Sequence, residues 1–265
     1  MNTLAVGLDR TLLELKMFSR EKEAVFFGFL LPVLLLTLFS VIFSAGFEDN
    51  EAGMTAGWYF LPGMIAAGVV LTSFQTMALS VASERDDGSL KRLRATPMPP
   101  VAYFLGKVGL VAVTSVLQLA LLLLVARFVF DVPMPGTAGR WLTLLGVFVL
   151  GLFGGALLGT AYSSLSSSRS IGAVVIGPLL VLQFISGVYI GWDTVPEWLR
   201  QVAAVFPLKW IAQGMRSVFY PDSFATLEMA GSWETGRTLL VLAVWALAGL
   251  FLCVRTFRWY KRGTV

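Results

Sequence analysis

Histidine is absent from the 265 residues, and cysteine occurs once, at Cys253. A single thiol excludes a disulfide framework within the chain, and without imidazoles there is no ordinary donor set for a zinc or redox centre, so no metal site is expected. There is no GxxxxGK[ST] phosphate loop, so the chain is not its own ATPase and is not expected to be an enzyme. Charge is scarce, at 14% of residues. Deep in the apolar runs the polar side chains are Gln75, Gln118 and Gln183, with hydroxyls such as Thr72, Ser73, Thr76, Thr114 and Ser115. A proton-coupled pump normally needs a buried carboxylate relay, and these runs carry none.

What fills the chain is apolar: 57% of residues are hydrophobic, and the mean hydropathy is +0.78. That composition defines an all-α polytopic membrane protein, read here as a single transmembrane domain over 1–265. Apolar runs place six transmembrane helices at about 24–47, 57–83, 101–130, 141–165, 171–190 and 237–256, each long enough to cross the hydrocarbon core. Pro32 and Pro178 invite kinks in the first and fifth. Ahead of them, within residues 1–23, Leu4, Leu8, Leu12, Leu15 and Phe18 recur at helical spacing with Arg10, Lys16, Arg20 and Lys22 on other faces. This is an N-terminal amphipathic interfacial helix. The apolar run behind it is too long for the h-region of a signal peptide, so the segment is expected to be retained.

Charge sets the orientation. With both termini inside, the inner segments hold 14 of the 20 Lys and Arg and the outer ones 6, while the acidic residues divide 7 to 9. The inverse topology reverses the basic bias, so the N- and C-termini are expected in the cytoplasm, with the acidic loop Glu48-Asp49-Asn50-Glu51 outside. The net charge of +4 then reports orientation rather than a nucleic-acid partner, and the partner surface is the lipid bilayer. Residues 191–236 carry Trp192, Trp198, Trp210 and Trp233 among Pro196, Pro207, Pro221 and several charges. They are too polar to span and are expected outside, as short external helices in an interfacial or re-entrant segment, with Arg200, Lys209 and Arg216 binding lipid headgroups or, the reading favoured here, in salt bridges. Gly151, Gly155 and Gly159 form a small-residue stripe for helix packing, within the subunit or between subunits.

One strongly charged stretch lies between apolar runs: residues 84–97, ERDDGSLKRLRATP. Acids come first (Glu84, Asp86, Asp87), then Gly88-Ser89, then Lys91, Arg92 and Arg94 around Leu90 and Leu93. This order suits a short helix aligned with its own dipole, capped by Asp87 or Ser89 and closed at Thr96-Pro97. Leu90 and Leu93 share a face and form an apolar knob for a soluble partner's cleft. An ordinary basic inner loop accounts for the same spacing.

Glu84-Arg85, Gly88-Ser89-Leu90, Leu93, Thr96-Pro97 and Gly106-Lys107 together resemble the signature of ABC-2 type transporter permeases, E-R-x-x-G-[ST]-L-x-x-L-x-x-T-P after the second span. Pro196, Leu199, Pro207-Leu208 and Arg216 look like that family's outer P-x-x-L and P-L-x-x segments. The chain is most similar to short drug-exporter subunits of the daunorubicin-resistance type.

The resemblance implies the transmembrane subunit of a bacterial ABC exporter, multi-pass in the cytoplasmic (inner) membrane. It pairs with a second permease copy as a homodimer and with two separate ABC ATPase subunits, which carry the ATP and magnesium; this chain holds no cofactor itself. Residues 84–97 become the cytoplasmic coupling helix between spans two and three. Glu84, Arg85, Gly88, Leu90, Lys91, Leu93, Arg94 and Thr96 become the ATPase-coupling residues, the first two tying the helix to its neighbours and Leu90, Lys91, Leu93 and Arg94 facing the ATPase. The family's path between spans two and five makes Phe74, Gln75, Met77, Leu182, Gln183 and Phe184 the substrate-path candidates, with lipid-facing or core packing as the alternative for each. The cargo expected is a hydrophobic drug, antibiotic or lipid-like compound. A lipid-linked polysaccharide exporter and a non-transporting scaffold are the alternatives.

Overall fold

The computed structural model describes residues 3–47, 53–164, 168–257 and 259, and the described residues are helices and their connections, without strands. The acidic loop 48–51 and the basic residues Arg258, Lys261 and Arg262 fall outside them. In chain order the main helices are α1 (Thr3–Arg20), α2 (Val25–Ile42), α3 (Ala56–Asp86), α4 (Ser89–Arg94), α5 (Pro100–Val129), α6 (Ala138–Tyr162), α7 (Ser168–Ile185), α8 (Glu197–Val205), α9 (Pro207–Phe219) and α10 (Thr235–Thr256). Five of them, α2, α3, α5, α6 and α10, are long and apolar enough to cross a membrane.

The fifth expected span is shorter than its apolar run. Helix α7 continues through Pro178 but stops at Ile185 rather than 190, because Gly187 adopts the left-handed conformation (φ 72°). The Val188 N–H then returns to the Gln183 carbonyl at 3.2 Å, the glycine-terminated ending that satisfies the last carbonyls of a helix.

The centre of the bundle is α3, buried without interruption from Phe60 to Ser73 and packed on α2, α5, α6 and α9. Two stretches of π-helix interrupt the α-helical ladder, Val25–Leu30 in α2 and Leu71–Gln75 in α3, and they touch each other. Pro32 has no N–H to give the Gly28 carbonyl one turn earlier. Gln118 of α5 supplies the missing donor, its amide reaching the Gly28 and Phe29 carbonyls at 3.2 and 2.8 Å. Neighbouring side chains re-satisfy freed backbone groups in this way inside membranes. One turn away, Ser115 and Thr72 join α5 to α3 at 2.6 Å. Since Thr72 keeps its bond to the Gly68 carbonyl, Ser115→Ala should cost only about 0.6–1.5 kcal/mol, within the range for interhelical bonds in lipid. Thermal unfolding of the purified variant checks this, and a loss above that range would make the bond a structural keystone.

Helix α1 presents Leu4, Leu8 and Leu12 outward, each more than 60% exposed. Its opposite face lies on α5, where Gly7, Gly106 and Gly109 let the backbones approach: a methyl at Gly106 would enter the Arg10 side chain, and one at Gly109 the Thr11 side chain.

Residues 191–236 contain two helices of different character. Helix α8 is amphipathic with Trp198 exposed, whereas every residue of α9 from Leu208 to Phe219 is buried against α3, α6 and α10. The salt bridge expected of Arg216 forms with Glu228 at 2.7 Å. Lys209 instead donates to Gln213 and lies over the Trp210 ring, 4.0 Å from its centroid. Burial lowers its amine to about 8. Arg200 makes none of the ion pairs found among the described residues.

Candidate functional site

Along one face of α5 the polar residues Lys107, Thr114, Ser115 and Gln118 follow one another at helical intervals. The upper members meet α2 and α3 as described. The lowest, Lys107, is 1% exposed and lies between two carboxylates on different helices, Glu84 at 2.6 Å and Glu14 at 2.9 Å. Arg10, one turn before Glu14 on α1, donates to Glu14 at 2.5 Å and stands 3.7 Å from Glu84. The second oxygen of Glu84 accepts the Tyr103 hydroxyl at 2.8 Å. Two cations and two anions thus share one buried junction with no net charge. It joins the helix before the first span, the end of the second span and the start of the third. Buried ions of opposite sign at these distances hold firmly as long as each keeps its partner.

The next residue makes a second tie. Arg85 donates to the Ser163 carbonyl at 2.7 Å and to its hydroxyl at 2.8 Å. Ser163 caps the C-terminus of α6, where a guanidinium also complements the helix dipole. Glu84 and Arg85 therefore fix the end of α3 to α1, α5 and α6.

The charged stretch is not one helix. Glu84, Arg85 and Asp86 complete α3, the chain turns at Gly88 (φ 77°), and α4 begins at Ser89, whose N–H donates to the Asp87 carboxylate at 2.7 Å. A side chain at Gly88 would strain that left-handed turn. Leu90 points inward at 0% exposure, so it anchors α4 to the bundle and cannot be part of an outward knob; Leu93 is half-buried. Lys91, Arg92 and Arg94 are exposed, and the exposed Thr96 donates to the Leu93 carbonyl at 2.6 Å. Between α1, α3 and α4 opens a cleft of about 1160 Å3, its α3 wall formed by Gln75, Thr76, Leu79, Ser80 and Ser83 above Glu84.

The six substrate-path candidates are spread over several surroundings. Gln75 lines the polar cleft. Phe74 and Leu182 line a separate apolar groove between α6, α7, α9 and α10. Met77 is buried, Gln183 is buried and accepts the Tyr189 hydroxyl, and Phe184 is exposed with its ring 5.2 Å from that of Tyr189. The glycine stripe faces the same chain: Gly151 meets Ile211 and Val69, Gly155 meets Ser73, and Gly159 meets the Phe74 carbonyl and Met77. Sequence reasoning missed Arg10 and Tyr103 as partners of Glu84, and Glu14 as the second carboxylate on Lys107. The cue was present, since a carboxylate and a guanidinium four residues apart on α1 share the face of Gly7.

These features define a polytopic helical membrane protein whose clustered charge ties helices together, with no metal-ligating cluster among the described residues. The chain belongs to the ABC-2 type transporter family, which residues 9–220 match. It is similar to the Probable multidrug ABC transporter permease YbhR of Escherichia coli (strain K12), 24% identical over 185 residues, 70% of this chain and 49% of that protein. It is also similar to the Daunorubicin resistance ABC transporter permease protein DrrB1 of Streptomyces coeruleorubidus, 26% identical over 239 residues, 86% of this chain and 77% of that one. The chain thus spans about half the length of YbhR.

Proposed function

We propose that the chain is the permease subunit of an ATP-driven exporter that moves a hydrophobic small molecule out across the bacterial cytoplasmic membrane. Helix α7 with residues 186–190 serves as the fifth of six spans, both termini lie in the cytoplasm, and α4 is the coupling helix. Two copies of the chain work with two separate ATPase subunits, which bind and hydrolyse ATP with magnesium. Relatives named for multidrug and daunorubicin resistance support the cargo class.

The observation that carries this reading is the buried junction beside α4. A push on α4 or α1 passes into α3 and α5 at once, because Lys107, Arg10, Glu14 and Glu84 hold the three helices as one body. Higher up, Gln118 and Ser115 bear on the two π-helical stretches, where the ladder is already interrupted and bending costs least. The push therefore reaches the middle of the membrane as a displacement of α2 and α3. Cargo follows spans two and five. Gln75 stands in the wall of the inner cleft where cargo enters, with Met77, Gln183 and Phe184 along the seam, where Phe and Met contacts adapt to varied apolar cargo; Phe74 and Leu182 face the groove on the other flank of α7 and lie off that path.

Contact with the ATPase falls on the exposed Lys91, Arg92 and Arg94, while Leu90 and Gly88 set the helix and Leu93 and Thr96 its edge. Lys91→Glu, Arg92→Glu and Arg94→Glu together should cut co-purification of the ATPase by about tenfold or more, the scale expected when several rim charges are reversed, with membrane insertion unchanged. Undiminished co-purification would remove α4 as the coupling element. Transport out of ATP-loaded, right-side-out vesicles should also persist when the proton gradient is collapsed.

A further inference from the structure

The apolar groove lies on the opposite flank of α7 from the polar cleft. Ile176 faces the cleft, whereas Val174, Pro178 and Leu182 face the groove, which has a volume of about 490 Å3. Helix α7 packs on α3 and α8, and its remaining flank looks onto this space. Three side chains with polar groups line the groove, and each is already engaged. The Tyr162 hydroxyl donates to the Val174 carbonyl at 3.3 Å, the Trp245 indole to the Val205 carbonyl at 3.1 Å, and Thr256 to the Leu252 carbonyl at 2.8 Å. Ordered water needs two to four polar partners, and polar substituents of a ligand would lose hydration here without replacement. An empty groove forfeits the dispersion contacts of its walls. The groove therefore takes an apolar occupant.

Its length narrows the choice. On α10 the lining runs from Leu242 to Thr256, about 21 Å at helical rise, against about 15 Å for the hydrocarbon of one leaflet. At the Thr256 end stands Arg255, exposed, its guanidinium 5.0 Å from the centroid of the Phe251 ring, and in none of the ion pairs found among the described residues. We propose that the groove binds one acyl chain of an anionic phospholipid whose phosphate pairs with Arg255. On the orientation proposed above, the lipid belongs to the inner leaflet. It gives α7 a fluid neighbour on one flank, so α7 can shift against the rest of the bundle without unpacking a helix interface.

Trp245 lies in the groove wall and reports on the occupant. In nanodiscs of the full chain, its emission is the difference between the wild type and Trp245→Phe. Phosphatidylglycerol brominated at mid-chain should quench that emission with about fivefold preference over equally brominated phosphatidylcholine, the scale of one basic side chain near an anionic lipid. Arg255→Gln should level the two lipids, and Val174→Phe, which fills the groove and leaves Arg255 in place, should weaken quenching by both. Equal quenching of the wild type by both lipids overturns the anionic site, a comparison that needs no charge variant to fold. Relief of quenching by an added polycyclic drug assigns the groove to cargo and overturns the lipid. Because neither arm uses the ATPase, these results are independent of whether α4 couples to one.

Discussion

Replacing Lys107 by methionine should destabilise the protein by about 3–5 kcal/mol, the usual consequence of removing one partner from a buried ion pair. Methionine approximates the lysine stem in volume, so little of that loss is packing. What is left is Glu14 and Glu84 with Arg10 alone between them, 2.5 Å from the first and 3.7 Å from the second, and one carboxylate charge in excess. Adding Glu84→Gln restores neutrality with the Arg10–Glu14 pair intact, and a glutamine carbonyl can still accept the Tyr103 hydroxyl. The double variant should therefore recover most of the loss. The interaction energy from the cycle, which is the recovered energy plus the cost of Glu84→Gln alone, should reach about 3 kcal/mol, the upper end for residues in one network. Thermal unfolding in nanodiscs measures both steps. Equal losses in the single and double variants would show that Lys107 matters for its packing and not for its charge. If the junction also transmits force, the double variant folds yet exports poorly, since α1, α3 and α5 remain packed without the ionic tie among all three.

How much of this was legible follows from what a linear pattern encodes. Apolar runs gave the positions of α2, α3, α5, α6 and α10, because length and composition alone decide whether a helix can cross a bilayer. The same runs overshot at 186–190, where the left-handed conformation of Gly187 ended the helix inside apolar sequence. On α1 the leucine stripe identified the exposed face, and the packing face, with Gly7, Arg10 and Glu14, lay opposite it. Which face of a helix is buried depends on the neighbour it meets, and α5 lies about ninety residues away. The inward turn of Leu90 had the same origin: two leucines at i and i+3 share a face, but spacing does not say whether that face looks toward the bundle or away. Phe74, Gln75 and Met77 separated because consecutive residues of a helix point in different directions, so a path assigned by location alone fell across a cleft, a groove and the core.

The glycine stripe of α6 should rank its three members by what each faces. At Gly151 an added methyl would meet the flexible end of Ile211 at 3.0 Å; at Gly155 it would meet the Ser73 hydroxyl, which can rotate at the loss of its bond to the Val69 carbonyl. At Gly159 it would meet the Phe74 carbonyl oxygen, with the carbonyl carbon at 3.0 Å and Met77 Cβ at 3.1 Å. Those are backbone and near-backbone atoms of α3, the most enclosed of the five long apolar helices, within and just after the π-helical stretch that ends at Gln75. They cannot swing aside as a side-chain tip does. Gly151→Ala should cost less than about 1 kcal/mol, Gly155→Ala about 1–2, and Gly159→Ala about 3 or more, the upper range for overpacking a core. Thermal unfolding of the three variants gives the order, and cross-linking of the assembled protein gives the fraction of dimer. A stripe that packs within the subunit yields this graded order with dimerisation unchanged in the Gly151 variant. Three similar losses that track dissociation would move the stripe to the surface between two copies.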